Sequence, residues 1–239
     1  MYKNFIFDLY GTLVDIHTDE QDEKLWGKLA AFYSFNNALY REAEIKEKYD
    51  EYVKYEKDKI KDTEFKDFPL ERVFEKMYTY KGIKPSDELI KNTAHLFRIM
   101  SMEYVRLYEG AEELLIKLKK NNKKIYLLSN AQRIFTIYEM RALGIEKYFD
   151  DIFISSDNFV CKPDNKFYMN LIKKHNLDLK ETIMVGNDLI SDIKGAQECG
   201  IDTLYIKSNL SPEIEENIKP SFKILDGDVH KISSIILRQ

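Results

Sequence analysis

From Lys124 to its end the sequence alternates short β-branched and aromatic runs with longer stretches of helical periodicity, and few folds accept that pattern. The apolar runs are Lys124–Leu128, Asp151–Ile154, Thr182–Val185, Thr203–Ile206 and Phe222–Leu225, with an earlier one at Phe5–Phe7. Helical periodicity fills Ala111–Lys120, Phe135–Leu143 and Lys166–Lys174, and Gly144 and Gly200 stand where helices end on glycine. Strands that read as continuous apolar runs, separated by helices, predict an α/β fold with a parallel sheet covered on both faces.

One long segment departs from this rhythm. Between about Glu20 and Tyr104 there is no convincing strand, and the chain is rich in Lys, Glu and Tyr, as in "REAEIKEKYDEYVKYEKDKIKD". Ile45, Tyr49, Tyr52, Val53 and Tyr55 recur at helical steps, and Pro69 and Pro85 punctuate the stretch. This predicts an insert of about four helices between the first strand and the rest of the sheet.

Composition narrows the function classes. With 239 residues, 44% of them hydrophobic, the chain can build a sizeable core. Its 37 Lys and Arg against 41 Asp and Glu give a net charge of −4, which argues against a general nucleic-acid binder. Cys161 and Cys199 lack metal-ligand spacing, and so few thiols suit a reducing compartment. Asp8 interrupts the N-terminal apolar run, and no stretch is long enough to span a membrane, so a cytoplasmic protein is expected. The expected partner is a small anionic substrate; monomer and homodimer both stay open.

In an open parallel sheet, ligands bind beyond the carboxyl ends of the strands. The first predicted strand delivers Asp8, with Gly11 and Thr12 behind it, and the second delivers Ser129 and Asn130. The loop "SSDNFVCKPD" supplies Lys162, and a later strand delivers Asn187 and Asp188, with Asp192 beyond. Singly, these residues suit caps and turns. Together they place a carboxylate, a hydroxyl, an ammonium and further carboxylates on one rim. Asp8 can act as a nucleophile that divides one hard step into two. Thr12, Ser129 and backbone N–H groups near Gly11 can hold an oxyanion, and Lys162 can neutralise charge. Asp8, Asp188 and Asp192 offer the oxygen ligands that Mg²⁺ takes.

These stretches resemble the motifs of the haloacid dehalogenase-like hydrolase superfamily: "FDLYGTLVD", "IYLLSNAQ", "CKPDNKFY" and "IMVGNDLISDIKGA", in that order. The resemblance implies a Rossmann-like core formed by residues 1–16 and 105–239. It also implies a helical cap, residues 17–104, that closes over the site, and Asp8 as the nucleophile. Phosphate would be held by Gly11, Thr12, Ser129, Asn130 and Lys162. Mg²⁺ would sit on Asp8, the main-chain carbonyl of Tyr10, and Asn187 or Asp188, with Asp192 behind them or paired with Lys162.

Two positions depart from the commonest pattern. Asn187 stands where an Asp metal ligand is usual. Tyr10 stands where most phosphatases of the family carry a second Asp, which protonates the leaving group and then activates water. Tyr10 matches the 2-haloacid dehalogenase branch instead, as does Tyr168, and Arg41 lies near the place of that branch's carboxylate-binding arginine. A halide leaves as a stable anion and needs no proton, whereas an alkyl phosphate without a general acid loses roughly 10²–10⁴ in rate. The acidic "GNDLISD" points the other way, because unpaired carboxylates on one rim are costly and a bound cation relieves them. The expected activity is therefore a Mg²⁺-dependent phosphatase for a small phosphorylated metabolite, acting through an aspartyl-phosphate. The alternatives are a metal-independent 2-haloacid dehalogenase and an impaired phospho-ligand-binding module. Tyr10, His17 and a residue of the insert stay open as the base for water.

Overall fold

The computed structural model describes residues 1–213 and 217–237. Six parallel strands form the central sheet: β1 (Asn4–Phe7), β4 (Lys124–Ser129), β5 (Asp151–Ile154), β6 (Thr182–Gly186), β7 (Asp202–Ile206) and β8 (Phe222–Ile224). Their order is β5-β4-β1-β6-β7-β8. β1 lies between β4 and β6, with Phe7 opposite Leu127 on one side and Val185 on the other. The chain thus leaves β1, fills one half of the sheet, and returns to fill the other. Such a reversal opens a crevice at the carboxyl ends of the strands next to β1.

Alternation along β1 separates the two faces. Phe5 and Phe7 pack into one buried cluster with Leu114, Leu115 and Leu118 of α5 (Ala111–Lys120) and Ile232 of α10 (His230–Ile236). Ile6 enters the opposite cluster with Phe167, Tyr168 and Leu171 of α8 (Asn165–His175). The remaining core helices are α6 (Arg133–Ala142), α7 (Ser155–Asn158) and α9 (Gly195–Glu198). Gly144 and Gly200 have φ of +74° and +78°, the left-handed turn that ends a helix.

The predicted helical insert is α1 (Glu23–Phe35), α2 (Glu42–Lys59), α3 (Glu71–Tyr80) and α4 (Asp87–Ser101). Asp22 caps α1 at Lys24 N and Ser86 caps α4 at Leu89 N. The four helices bury their own cluster, in which Trp26, Tyr49, Phe74 and Phe97 meet ring to ring and Phe135 of α6 joins from the core.

One sequence expectation is corrected. The stretch up to Tyr104 is not free of strands: β3 (Met102–Leu107) begins within it and pairs antiparallel with β2 (Val14–Thr18). The insert therefore leaves and rejoins the core through one two-stranded ribbon. No helix among the described residues is long and apolar enough to cross a membrane.

Candidate active site

Asp8 follows β1 directly and is 7% exposed. Its Oδ1 accepts from Lys162 Nζ at 2.7 Å and from Ser129 Oγ at 3.3 Å, while Oδ2 has no partner among the described residues. Lys162 also donates to Asp192 Oδ1 at 2.7 Å, so one buried ammonium bridges two carboxylates. Burial lowers the Lys162 pKa, but Asp192 and Asp8 outweigh it and push the group up to about 12. Burial raises the Asp192 carboxyl above its ordinary range; Lys162 opposes that rise and the Asp8 charge adds to it.

Neighbouring residues hold these three in place. Asn130 donates to the Lys162 carbonyl at 2.9 Å and accepts from Lys162 N at 2.8 Å, fixing the lysine's main chain. Asp192 Oδ2 accepts from Asp188 N at 2.9 Å. Gly186 makes room for Asp192, since a Cβ there would lie 2.3 Å from Asp192 Oδ2. Gly11 has φ +87°, and a Cβ there would fall 2.2 Å from Asn187 Nδ2. The residues from Leu189 to Lys194 form a π-helical segment, a form that recurs at functional sites.

A cavity of about 190 Å³ is lined by Asp8, Tyr10, Ser129, Asn130, Lys162, Asn187, Asp188, Ser191, Asp192, Leu210 and Pro212. A larger groove of about 610 Å³ lies between α3, α4 and α6, lined by charged and apolar side chains of those helices and without a nucleophile. The small cavity is the one with convergent chemistry.

Most predicted site residues thus meet, but several do other work than expected. Thr12 Oγ1 donates to Asn187 Oδ1 at 3.2 Å, and neither Thr12 nor Gly11 lines the cavity. Tyr10 turns its hydroxyl away into a buried network: it donates to Glu139 and lies 3.0 Å from Thr136 Oγ1, both on α6. Arg98 of α4 completes that network, with Nε 2.6 Å from Glu139 Oε1. Burial and then the Glu139 carboxylate push the Tyr10 phenol well above its usual pKa. Tyr10 therefore brings no proton donor or acceptor to the cavity. His17 lies on the ribbon, stacked on Tyr104, and Arg41 is exposed before α2; neither lines the cavity. Tyr168 is buried beneath the π-helical segment, where its hydroxyl donates to the Ser191 carbonyl. Sequence reasoning missed Ser191, Leu210 and Pro212 as lining residues. Ser191 carried a signal, lying inside the fourth motif; the other two lie in the loop after β7, four and six residues beyond the strand, outside every motif.

The donor set suits Mg²⁺. Asp188 Oδ1 caps Ile190 N and Ser191 N at 2.8 and 3.0 Å, which leaves Oδ2 without a partner among the described residues. The Tyr10 carbonyl likewise accepts no hydrogen bond there. Asp8 Oδ2, Asp188 Oδ2 and this carbonyl are oxygen donors for a cation that retains several waters. Asn187 Oδ1 is already engaged by Thr12 and both Asp192 oxygens are occupied, so Asp188 is the better ligand.

The family described as haloacid dehalogenase-like hydrolase matches residues 2–200. The glyceraldehyde 3-phosphate phosphatase of Pyrococcus furiosus is 30% identical over 136 residues, 57% of each chain, so the match spans little more than half of that relative. The pyrimidine 5'-nucleotidase PynA of Streptococcus pneumoniae is 25% identical over 211 residues, 85% of this chain and 83% of its own. The crystal structure of a 2-haloacid dehalogenase from Pseudomonas syringae shares the fold with a TM-score of 0.69 and 18% identity, covering 100% of this chain and 99% of its own.

Proposed function

The chain belongs to the haloacid dehalogenase-like hydrolase family, and from that premise we propose that it is a phosphatase for a small phosphorylated molecule. The observation that carries this reading is the acidic rim: Lys162 is shared between Asp8 and Asp192, and Asp188 adds a further carboxylate with an uncommitted oxygen. One ammonium leaves most of the charge of three carboxylates and an incoming phosphate uncompensated, and a divalent cation would offset a large part of it.

In this reading Asp8 attacks phosphorus, the bond to the leaving group breaks, and an aspartyl-phosphate forms. Lys162 and Ser129 orient the carboxylate through Oδ1 and place positive charge and a hydroxyl beside the phosphoryl oxygens. Asn130 acts through Lys162, and Thr12 through Asn187. Mg²⁺ held by Asp8, the Tyr10 carbonyl and Asp188 would offset the repulsion between Asp8 and the phosphate. Water then attacks the aspartyl-phosphate and returns the Asp8 carboxylate.

The helical insert serves as a cap, with its boundaries inside the β2–β3 ribbon. The segment between α2 and α3 rests on the rim loops: Cys161 N donates to Phe65 O at 2.9 Å, Gln132 Nε2 to Asp67 Oδ1 at 2.9 Å, and Leu70 N to Gln132 Oε1 at 2.9 Å.

A second reading, 2-haloacid dehalogenation, is favoured by Tyr10, whose engaged hydroxyl leaves no acid beside the leaving group, and by Tyr168, which lies buried beneath the π-helical segment. The position of Arg41 outside the cavity removes its expected carboxylate anchor. The deciding experiment measures phosphate release from aryl phosphates with and without Mg²⁺, beside chloride release from 2-chloropropionate. Phosphate release that a chelator stops and Mg²⁺ restores supports the phosphatase. Chelator-insensitive chloride release overturns it.

A further inference from the structure

The acidic side chains around the cavity are committed to hydrogen bonds or, through Asp8 Oδ2 and Asp188 Oδ2, to the cation of the phosphatase reading, and this limits what can leave. The Tyr10 hydroxyl is tied to Glu139, both oxygens of Asp192 accept hydrogen bonds, and Asp188 caps the segment behind it. Lys162 is held between two carboxylates. No lining side chain stands ready to hand a proton to a departing oxygen. A leaving group must therefore be stable as an anion.

The cavity walls add size and character. At about 190 Å³ the space lies below the roughly 300–1,000 Å³ that drug-sized ligands occupy. That volume suits a small phosphorylated molecule better than a nucleotide buried whole. Leu210 and Pro212 are the lining residues with wholly apolar side chains, and no lining residue comes from the helical insert. Both belong to the loop after β7, which is held by its own hydrogen bonds: Ser208 N donates to Ser211 Oγ at 2.9 Å and Leu210 N to Ser208 Oγ at 3.3 Å. Asn209 ties the loop to the ribbon, donating to Asp15 Oδ1 at 2.9 Å and accepting from Tyr108 at 2.5 Å. The apolar wall is thus a fixed part of the core.

Building on the phosphatase reading above, we infer that the substrate is a short-chain acyl phosphate whose aliphatic tail rests on Leu210 and Pro212. Asp8 oxygen bonds to phosphorus as the phosphorus–oxygen bond to the acyl group breaks, and the electron pair leaves with a carboxylate. No proton is required. One mixed carboxylic–phosphoric anhydride is exchanged for another, the aspartyl-phosphate, so the step is close to balanced in energy. Water then cleaves the new anhydride to phosphate and the free Asp8 carboxylate.

The test compares phosphate release, with Mg²⁺ present and the Asp8→Asn background subtracted, from acetyl phosphate, butyryl phosphate, glycerol 3-phosphate and a nucleoside monophosphate. The expected kcat/KM for the acyl phosphates exceeds that for glycerol 3-phosphate by roughly 10²–10⁴. Butyryl phosphate is favoured over acetyl phosphate by about tenfold, mostly through KM, and Leu210→Ala removes that preference while Leu210→Met retains it. Asn209→Ala, which loosens the wall without touching substrate, raises KM for butyryl phosphate more than it changes kcat. Equal efficiency towards glycerol 3-phosphate or the nucleotide overturns the inference, as does a chain-length preference that Leu210→Ala leaves in place. No phosphate release above background from any of the four compounds overturns the phosphatase reading itself.

Discussion

Asp8 is held through one oxygen by both Lys162 and Ser129, so its replacement should remove the chemistry without disturbing the strand behind it. Asp8→Asn is expected to lower phosphate release by on the order of 10⁴, read in a steady-state assay, while the circular dichroism spectrum stays unchanged. Lys162→Met should instead unfold the rim, because it leaves Asp8 and Asp192 buried and facing each other. Urea unfolding should show a loss of about 3–5 kcal/mol. Tyr10→Phe separates the two roles considered for that residue. If the hydroxyl only satisfies Glu139 and Thr136, kcat changes little and stability falls by about 1–2 kcal/mol. A collapse of kcat in a folded Tyr10→Phe protein would show that the phenol takes part in the reaction. Asp8, Ser129 and Lys162 were legible in the sequence because each follows an apolar run that could only be a buried strand or its loop. The partners of Tyr10 were not, since Arg98 and Glu139 read as ordinary charges on amphipathic helices far away in the chain.

Among the elements, α4, α6 and the loop after β1 are joined by the buried Arg98–Glu139 pair. Arg98→Met strands a buried carboxylate and is expected to cost roughly 3 kcal/mol, most of it regained in the double variant Arg98→Met, Glu139→Gln. Urea titration of the three variants measures this directly; additive losses would mean that the pair is not coupled. The ribbon has a different anchor. Burial alone would raise the Asp15 carboxyl, but Asn209, Arg106 and Tyr104 overcome it and hold the pKa below its ordinary value. A depressed carboxyl contributes stability above its unfolded pKa, near 4, and loses it as pH falls through the folded value. Asp15→Asn should therefore lower Tm by roughly 2–4 °C at neutral pH, and the gap to the parent should close below pH 4. The helical insert, α5, α6, α8 and the six core strands were readable from periodicity, whereas the short α7, α9 and α10 were not. β3 was not, because "MEYVRL" is half exposed, and its partner β2 lies across the whole insert. Nothing local in either stretch says that they pair.

For the whole molecule, the segment between α2 and α3 joins the insert to the rim of the sheet. Gln132 grips it from both directions, and the half-buried Asp67 accepts from Ser155 as well as from Gln132. Gln132→Ala should loosen that attachment, and hydrogen exchange should then quicken at the Leu70 and Cys161 amides and not in β1 or β6. Uniform exchange across the chain would mean global destabilisation instead. The α/β architecture and the place of the insert were legible from length and alternation alone. The way the insert rests on the rim was not, because it depends on single polar contacts between segments remote in sequence. The central position of β1 bears also on how the chain is made. "NFIF" is made well before its neighbours, because β4 ends at Ser129 and β6 at Gly186. Until β4 has been made this apolar strand has neither edge paired, while the insert, rich in local contacts, can already fold. The interval in which β1 is open to another copy's strand is thus set by the time the chain takes to add the insert and β4.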